Sequence, residues 1–276
     1  MFIAVASGKG GTGKTIVSVA LAQALSARLL DADVEEPNAH LFLRPELFYE
    51  ETVFRMVPEV DEEKCSFCKK CKEICRFNAI TVFPGTVLVF PELCHACYGC
   101  LEVCPEECIK ETKLPLGRLL AGKSGDIVLA YGELKVGEAM ASPLIKALKK
   151  QFLAHDEINI IDCPPGTACP VLTAVKDAHF CILVAEPTPF GLHDLKQAYG
   201  AIKTMNISMG VVINRSRGVY EPLMEFLREN KLPLLLEIPD DKEIAKAYSR
   251  GIPLLEARPD LAQSFRDLYQ RIEACL

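Results

Sequence analysis

Ser7-Gly8-Lys9-Gly10-Gly11-Thr12-Gly13-Lys14-Thr15 is the stretch that decides how this chain is read. From Gly8 to Thr15 it fits the pattern G-x-x-x-x-G-K-[ST]. The apolar run Phe2–Ala6 ahead of it reads as a strand, and the Ala/Leu-rich stretch behind it as a helix opening near Lys14. Glycines let backbone N–H groups curl around an anion at the N-terminus of such a helix, where the dipole also favours negative charge. Gly8, Lys9, Gly10, Gly11, Thr12, Gly13, Lys14 and Thr15 are therefore the expected phosphate cradle. Lys14 is placed to reach the β- and γ-phosphates, and the Thr15 hydroxyl to hold magnesium. An incidental glycine-rich turn would not bring strand, spacing and helix together.

Further along, short apolar runs recur at Ile127–Ala130, Ile158–Asp162, Phe180–Ala185, Met209–Asn214 and Leu234–Ile238. They are rich in Val, Ile and Leu and lack polar alternation, as strands buried on both faces of a parallel sheet do. Stretches of helical length lie between them, such as Ser142–Phe152, Gly191–Thr204 and Tyr220–Asn230. Alternation of this kind implies an α/β domain with a doubly wound, mostly parallel sheet. The composition suits it: 276 residues, half apolar and a quarter charged, with a net charge of 31 − 37 = −6. That balance offers no general attraction to nucleic acid or anionic membrane. No apolar run reaches the ~18 residues of a spanning helix, and no basic n-region precedes the glycine motif. The expectation is a cytoplasmic protein that keeps its cysteines as thiols.

Those cysteines are the anomaly. Of thirteen, nine lie between Cys65 and Cys108. Cys65-x2-Cys68-x2-Cys71-x3-Cys75 is followed by Cys94-x2-Cys97-x2-Cys100-x3-Cys104-Pro105, two copies of the run that marks the bacterial two-cluster ferredoxin. By that pattern Cys65, Cys68, Cys71 and Cys104 hold one [4Fe–4S] cluster, and Cys94, Cys97, Cys100 and Cys75 the other. Arg76 stands where a proline usually follows the fourth cysteine. A zinc ribbon needs only pairs of cysteines and leaves the third and fourth of each run unexplained. About fifty residues with few large apolar groups need such staples to fold. The expected organisation is thus an ATPase-type domain of residues 1–58 and 112–276, interrupted by a small α+β ferredoxin-like insert, 59–111, with a hairpin turn at Pro84-Gly85. Cys108 occupies the repeat position of Ala79 and reads as a small buried residue. Cys181 and Cys275 read as core or inert.

The loop Lys9-Gly10-Gly11-Thr12-Gly13-Lys14-Thr15, with its early second lysine, resembles the deviant Walker A of the MinD/Mrp/nitrogenase iron-protein family of P-loop ATPases. Leu29-Leu30-Asp31-Ala32-Asp33-Val34-Glu35-Glu36-Pro37-Asn38 is similar to that family's switch I, and Ile160-Ile161-Asp162-Cys163-Pro164-Pro165-Gly166-Thr167 to its Walker B and switch II. Val211-Val212-Ile213-Asn214-Arg215 resembles the strand whose terminal Asn reads adenine. The resemblance implies that Lys9 contacts nucleotide held by a second subunit and that Asp33 positions the attacking water. It also implies that Asp31 supports the magnesium sphere, that Asp162 binds magnesium through water, and that the Gly166 amide senses the γ-phosphate. Cys169, seven residues after Asp162, stands where the nitrogenase iron protein has a cluster ligand, although a packing role is more economical.

Taken together, the chain resembles MinD-superfamily ATPases with an inserted two-cluster ferredoxin domain. That implies ATP, Mg2+ and two [4Fe–4S] clusters as cofactors and an ATP-dependent homodimer. It also implies ATP hydrolysis coupled to electron transfer, or to assembly of a metal cofactor, on an unidentified redox or apo-metalloprotein partner. The alternative is a MinD-like positional switch whose clusters are purely structural. The C-terminal stretch places Leu261, Phe265, Leu268, Ile272 and Leu276 on one helical face. Its balanced charges suit docking on the domain better than a membrane anchor. No basic stripe with interleaved aromatics suggests nucleic-acid binding.

Overall fold

Strand β1 (Phe2–Ala6) sends Phe2, Ala4 and Ala6 into one apolar core and Ile3 and Val5 into another, and both are buried. A strand covered on both faces needs no polar alternation, which is why the run reads as continuously apolar. In the computed structural model, which describes residues 1–276, the sheet built around it has nine strands. They are β1, β2 (Arg28–Asp31), β3 (Glu46–Val60), β6 (Ile109–Ser124), β7 (Ile127–Leu134), β8 (Asn159–Asp162), β9 (Phe180–Ala185), β10 (Ser208–Ser216) and β11 (Leu234–Pro239). Two short strands, β4 (Ile80–Phe83) and β5 (Thr86–Val89), form a separate hairpin about Pro84-Gly85. The order is β11-β10-β9-β1-β8-β2-β7-β6-β3, parallel from β11 to β7 and antiparallel from there to β3.

Helices cover both faces. On one lie α1 (Lys14–Leu25), α2 (Ala39–Leu43), α9 (Lys242–Tyr248), α10 (Leu254–Ala257) and α11 (Ala262–Glu273). On the other lie α5 (Ala141–Phe152), α6 (Cys169–Val175), α7 (Pro189–Lys203) and α8 (Glu221–Glu229). This is the doubly wound α/β arrangement that the alternation implies. The C-terminal face packs inward: Phe265, Leu268 and Ile272 of α11 are fully buried, while Leu276 is exposed. No helix is long and apolar enough to cross a membrane.

The strands β3 and β6 were not legible as such. They pair along their length, from Glu46↔Lys123 to Val60↔Ile109, as one twisted ribbon at the edge of the sheet. Both expected boundaries of the insert fall inside these strands, so the ribbon runs unbroken from the sheet into the cysteine-rich module. That module, between Asp61 and Cys108, adds α3 (Lys70–Ile74), α4 (Gly99–Glu102), the β4–β5 hairpin and its own small cores. Arg55 anchors it. Its guanidinium pairs with Glu138 at 2.8 Å and donates to the carbonyls of Pro91 (2.9 Å) and Cys94 (3.3 Å).

Candidate nucleotide site and cysteine cavities

Parallel register assembles the first site. Val5 of β1 lies beside Asp162 of β8, and Asp162 beside Asp31 of β2. The glycine loop and both acidic motifs therefore meet at the carboxyl ends of neighbouring strands, where ligands of open α/β sheets bind. A cleft of about 310 Å3 opens there. It is lined by Gly10, Gly11, Gly13, Lys14, Thr15, Asp33 and Asn214, together with Asp240 and Asp241 beyond β11 and Ile244 and Tyr248 of α9. Its size is within the range of small-molecule pockets.

Two glycines explain the shape of the loop. A Cβ on Gly8 would sit 2.1 Å from the Asp194 carbonyl oxygen, so α7 packs directly on the loop. Gly13, at φ +95°, lies under Asn214, whose Nδ2 a Cβ would meet at 2.2 Å. A side chain on Gly10 or Gly11 would meet nothing within 4 Å, and both residues line the cleft. Beneath it the Thr12 hydroxyl is buried without a partner.

The carboxylates differ in what they do. Asp31 is fully buried and accepts from the backbone N–H groups of Asp33 (3.1 Å), Asn38 (2.9 Å) and Ala39 (2.9 Å). It caps α2 and braces switch I. Burial and the nearby Asp162 push its pKa well up, against the pull of those amides. Asp162 accepts from Ser18 Oγ at 3.1 Å; burial raises its pKa, while Thr15, Lys14 and Ser18 pull the other way. Asp33 reaches the cleft, and burial together with the charge of Asp162 raises its pKa to about 6 despite Lys14.

Five residues hold positions that the sequence did not foretell. Asn214 donates from Nδ2 to the Thr12 carbonyl at 2.8 Å and accepts from the Arg215 amide, so it ties β10 to the phosphate loop while lining the cleft. The Gly166 amide donates to the Ser7 carbonyl at 3.1 Å, folding switch II onto the loop. Lys9 pairs with Asp194 of α7 at 3.4 Å. Cys169 opens α6 in an exposed position, and Cys275 is exposed after α11, so neither is a core residue; Cys181 is buried. Sequence reading also missed Ile244 and Tyr248, although their i, i+4 spacing on α9 puts them on one face.

The cysteines of the module divide between two cavities. One is lined by Cys65, Cys68, Cys71, Cys104 and Cys108, the other by Cys75, Cys94, Cys97 and Cys100. In each cavity three cysteines of one run meet the fourth of the other. No three His, Cys, Asp or Glu side chains converge tightly enough to hold a single metal ion; the thiols stand around each cavity instead. The two runs share a backbone. Phe67 and Ala96, Lys69 and Tyr98, and Asn78 and Glu107 are matched positions, and all six have positive φ without being glycine. Conformations that cost of order 1–3 kcal/mol each persist where the surroundings over-determine them.

Fold and site together define a P-loop nucleotide-binding protein with a cysteine-rich module on an edge ribbon. Residues 3–254 match the CobQ/CobB/MinD/ParA nucleotide binding domain, and the chain belongs to that family as a P-loop ATPase of the MinD/ParA kind. It is 31% identical over 279 residues to the uncharacterized protein MJ0578 of Methanocaldococcus jannaschii, covering 99% of this chain and 96% of that one. It is 25% identical over 278 residues to an iron-sulfur cluster carrier protein of Aquifex aeolicus, covering 94% of this chain and 62% of the relative. Its fold is that of the septum site-determining protein MinD of Pyrococcus horikoshii, solved with Mg-ADP, at a TM-score of 0.60, 20% identity and coverage of 99% and 96%.

Proposed function

We propose that this ATPase carries two [4Fe–4S] clusters on residues 59–111 and couples its nucleotide state to electron transfer, or to assembly of an iron–sulfur or other metal cofactor, on a partner protein. The observation that carries the reading is the crossed division of eight cysteines between two cavities, three from one run and one from the other in each. That is the ligand set of a two-cluster ferredoxin. The donor chemistry fits: the first cavity offers five thiols and the second four, enough for a four-thiolate ligand set in each, and the paired positive-φ turns curl both runs the same way. Similarity to an iron-sulfur cluster carrier supports the same class of function.

In this reading Cys65, Cys68, Cys71 and Cys104 hold one cluster and Cys94, Cys97, Cys100 and Cys75 the other, each able to supply a one-electron couple. At the nucleotide, the amides from Gly8 to Thr15 cradle the phosphates and Lys14 neutralises the β- and γ-oxygens. Thr15 and Asp162 are the residues that would hold Mg2+, whose charge stabilises the transferring phosphoryl group. Asp33 orients the attacking water, and Asp31 serves it by holding the switch loop. Lys9 would exchange Asp194 for nucleotide across an ATP-dependent homodimer, and the Gly166 amide would exchange Ser7 for the γ-phosphate.

A MinD-like positional switch with purely structural clusters is the second reading, favoured by the full-length likeness to MinD. The test is anaerobic reconstitution followed by an iron and sulfide count and by redox titration with and without a non-hydrolysable ATP analogue. About eight iron per chain and a potential that moves with nucleotide are expected. Eight iron with potentials that nucleotide does not move would sink the electron-transfer arm and leave cofactor assembly ahead, and a chain that takes up only zinc would sink the cluster assignment.

A further inference from the structure

The first cavity holds one thiol more than its cluster needs. Cys108 is 98% buried, lines that cavity, and puts its Sγ 3.4 Å from Cys104 Sγ. The second cavity provides the control within the same molecule. Ala79 stands four residues after Cys75 as Cys108 stands four after Cys104, and it lines the second cavity with a methyl group. The backbones agree at both places, because Asn78 and Glu107, the preceding residues, share a left-handed φ of 54° and 49°. Cys108 is also held rigidly. Its carbonyl accepts from the Asp61 amide at 2.8 Å, next to the last ribbon pair, Val60↔Ile109. Cys104, by contrast, follows the short helix α4 in a turn.

We propose that Cys108 is a reserve ligand of the first cluster, able to take the corner assigned to Cys104. Resting on the cluster reading above, the exchange is a ligand substitution without electron transfer. Cys108 Sγ gives up its proton and binds iron as a thiolate, while Cys104 Sγ leaves the iron and takes a proton up. The two sulfur atoms lie 3.4 Å apart, so the incoming thiol already stands beside the corner it would take. The first cluster can then survive loss or modification of its fourth ligand, and the second cannot.

The test compares four forms of the full chain, reconstituted anaerobically with iron and sulfide: unmodified, Cys104→Ala, Cys104→Ala with Cys108→Ala, and Cys75→Ala. Iron and acid-labile sulfide are counted, and the reduced proteins are examined by low-temperature electron paramagnetic resonance. The unmodified chain should hold about eight iron. Cys104→Ala should keep close to that number, with a changed signal from one cluster. The double variant and Cys75→Ala should each fall by about half. The signal of the second cluster reports whether the module is folded in the Cys104 variants. Should Cys104→Ala lose both clusters, the volume-conserving Cys104→Ser, with and without Cys108→Ala, repeats the comparison. A Cys104 variant that loses as much iron as Cys75→Ala while Cys108 is intact overturns the inference. An unmodified chain that takes up no iron overturns the cluster reading itself, and this inference with it.

Discussion

Asp33 lies two residues beyond Asp31, yet the chain gives the two carboxylates different surroundings. Asp31 spends both oxygens on backbone amides, and Asp33 is left facing the cleft. Lys14→Ala should therefore abolish tight MgATP binding, whereas Asp33→Ala should bind nucleotide normally and hydrolyse it slowly; equal losses of binding by calorimetry would mean that Asp33 is misassigned. A pH effect follows from the crowding of acids. The pKa of Asp33 rises from its ordinary 3.8 to about 6 on folding, so between those values the folded chain binds more protons than the unfolded one. Its contribution to stability is fully present below 3.8 and is lost as pH rises through about 6. The loss amounts to no more than about 3 kcal/mol. In nucleotide-free protein, Asp33→Asn should melt above the unmodified chain at pH 7, and the gap should narrow at pH 5.

At the scale of elements, the β3–β6 ribbon is what joins the two halves. Its far end carries the cysteine module, and Arg55, midway along β3, ties the module's Pro91 and Cys94 to Glu138 beyond β7. Both members of this ion pair are almost wholly buried. Such a pair contributes little net stability against an apolar replacement, yet removing one partner alone costs about 3–5 kcal/mol. Arg55→Met should accordingly raise hydrogen exchange around residues 91–94 and lower the unfolding midpoint, and adding Glu138→Leu should restore part of both. Unchanged exchange near Cys94 in Arg55→Met would show that the ribbon alone holds the module. Sequence reading found the central strands because each is apolar on both faces. It missed the ribbon because edge strands such as Leu47–Arg55 mix exposed Leu, Phe and Glu without a clean period.

For the whole molecule the question is how the phosphate end could speak to the cysteines. A continuous set of contacts exists. The Val34 carbonyl of switch I accepts from the Leu134 amide at 2.7 Å; Leu134 closes β7, and Glu138 follows four residues later with Arg55 on it. A non-hydrolysable ATP analogue with Mg2+ should drive dimerisation and shift the reduction behaviour of the clusters proposed for the module, where ~60 mV in a one-electron couple is a tenfold change. Lys9→Ala should lose dimerisation and redox response together while still binding nucleotide, as read by sedimentation and electrochemistry. A Lys9→Ala protein that dimerises as before would place the dimer contact elsewhere.

The order of motifs, the α/β class, the phosphate loop and the spacing of both cysteine runs are determined by sequence, because each depends on residues near one another in the chain. Lys14 and Thr15 need only a strand before them and a helix after, and three cysteines of one run need only a tight turn. What the tertiary structure decided is everything set by register between distant segments. The meeting of Asp31 with Asp162, the lock of Arg55 on Glu138 and the ties of Lys9 to Asp194 and Asn214 to Thr12 all depend on it. So does the closeness of Cys108 to Cys104, which differs from the Ala79–Cys75 pair by a single sulfur. Packing brings these groups within hydrogen-bond reach, and no local pattern records which side chain a strand will find beside it.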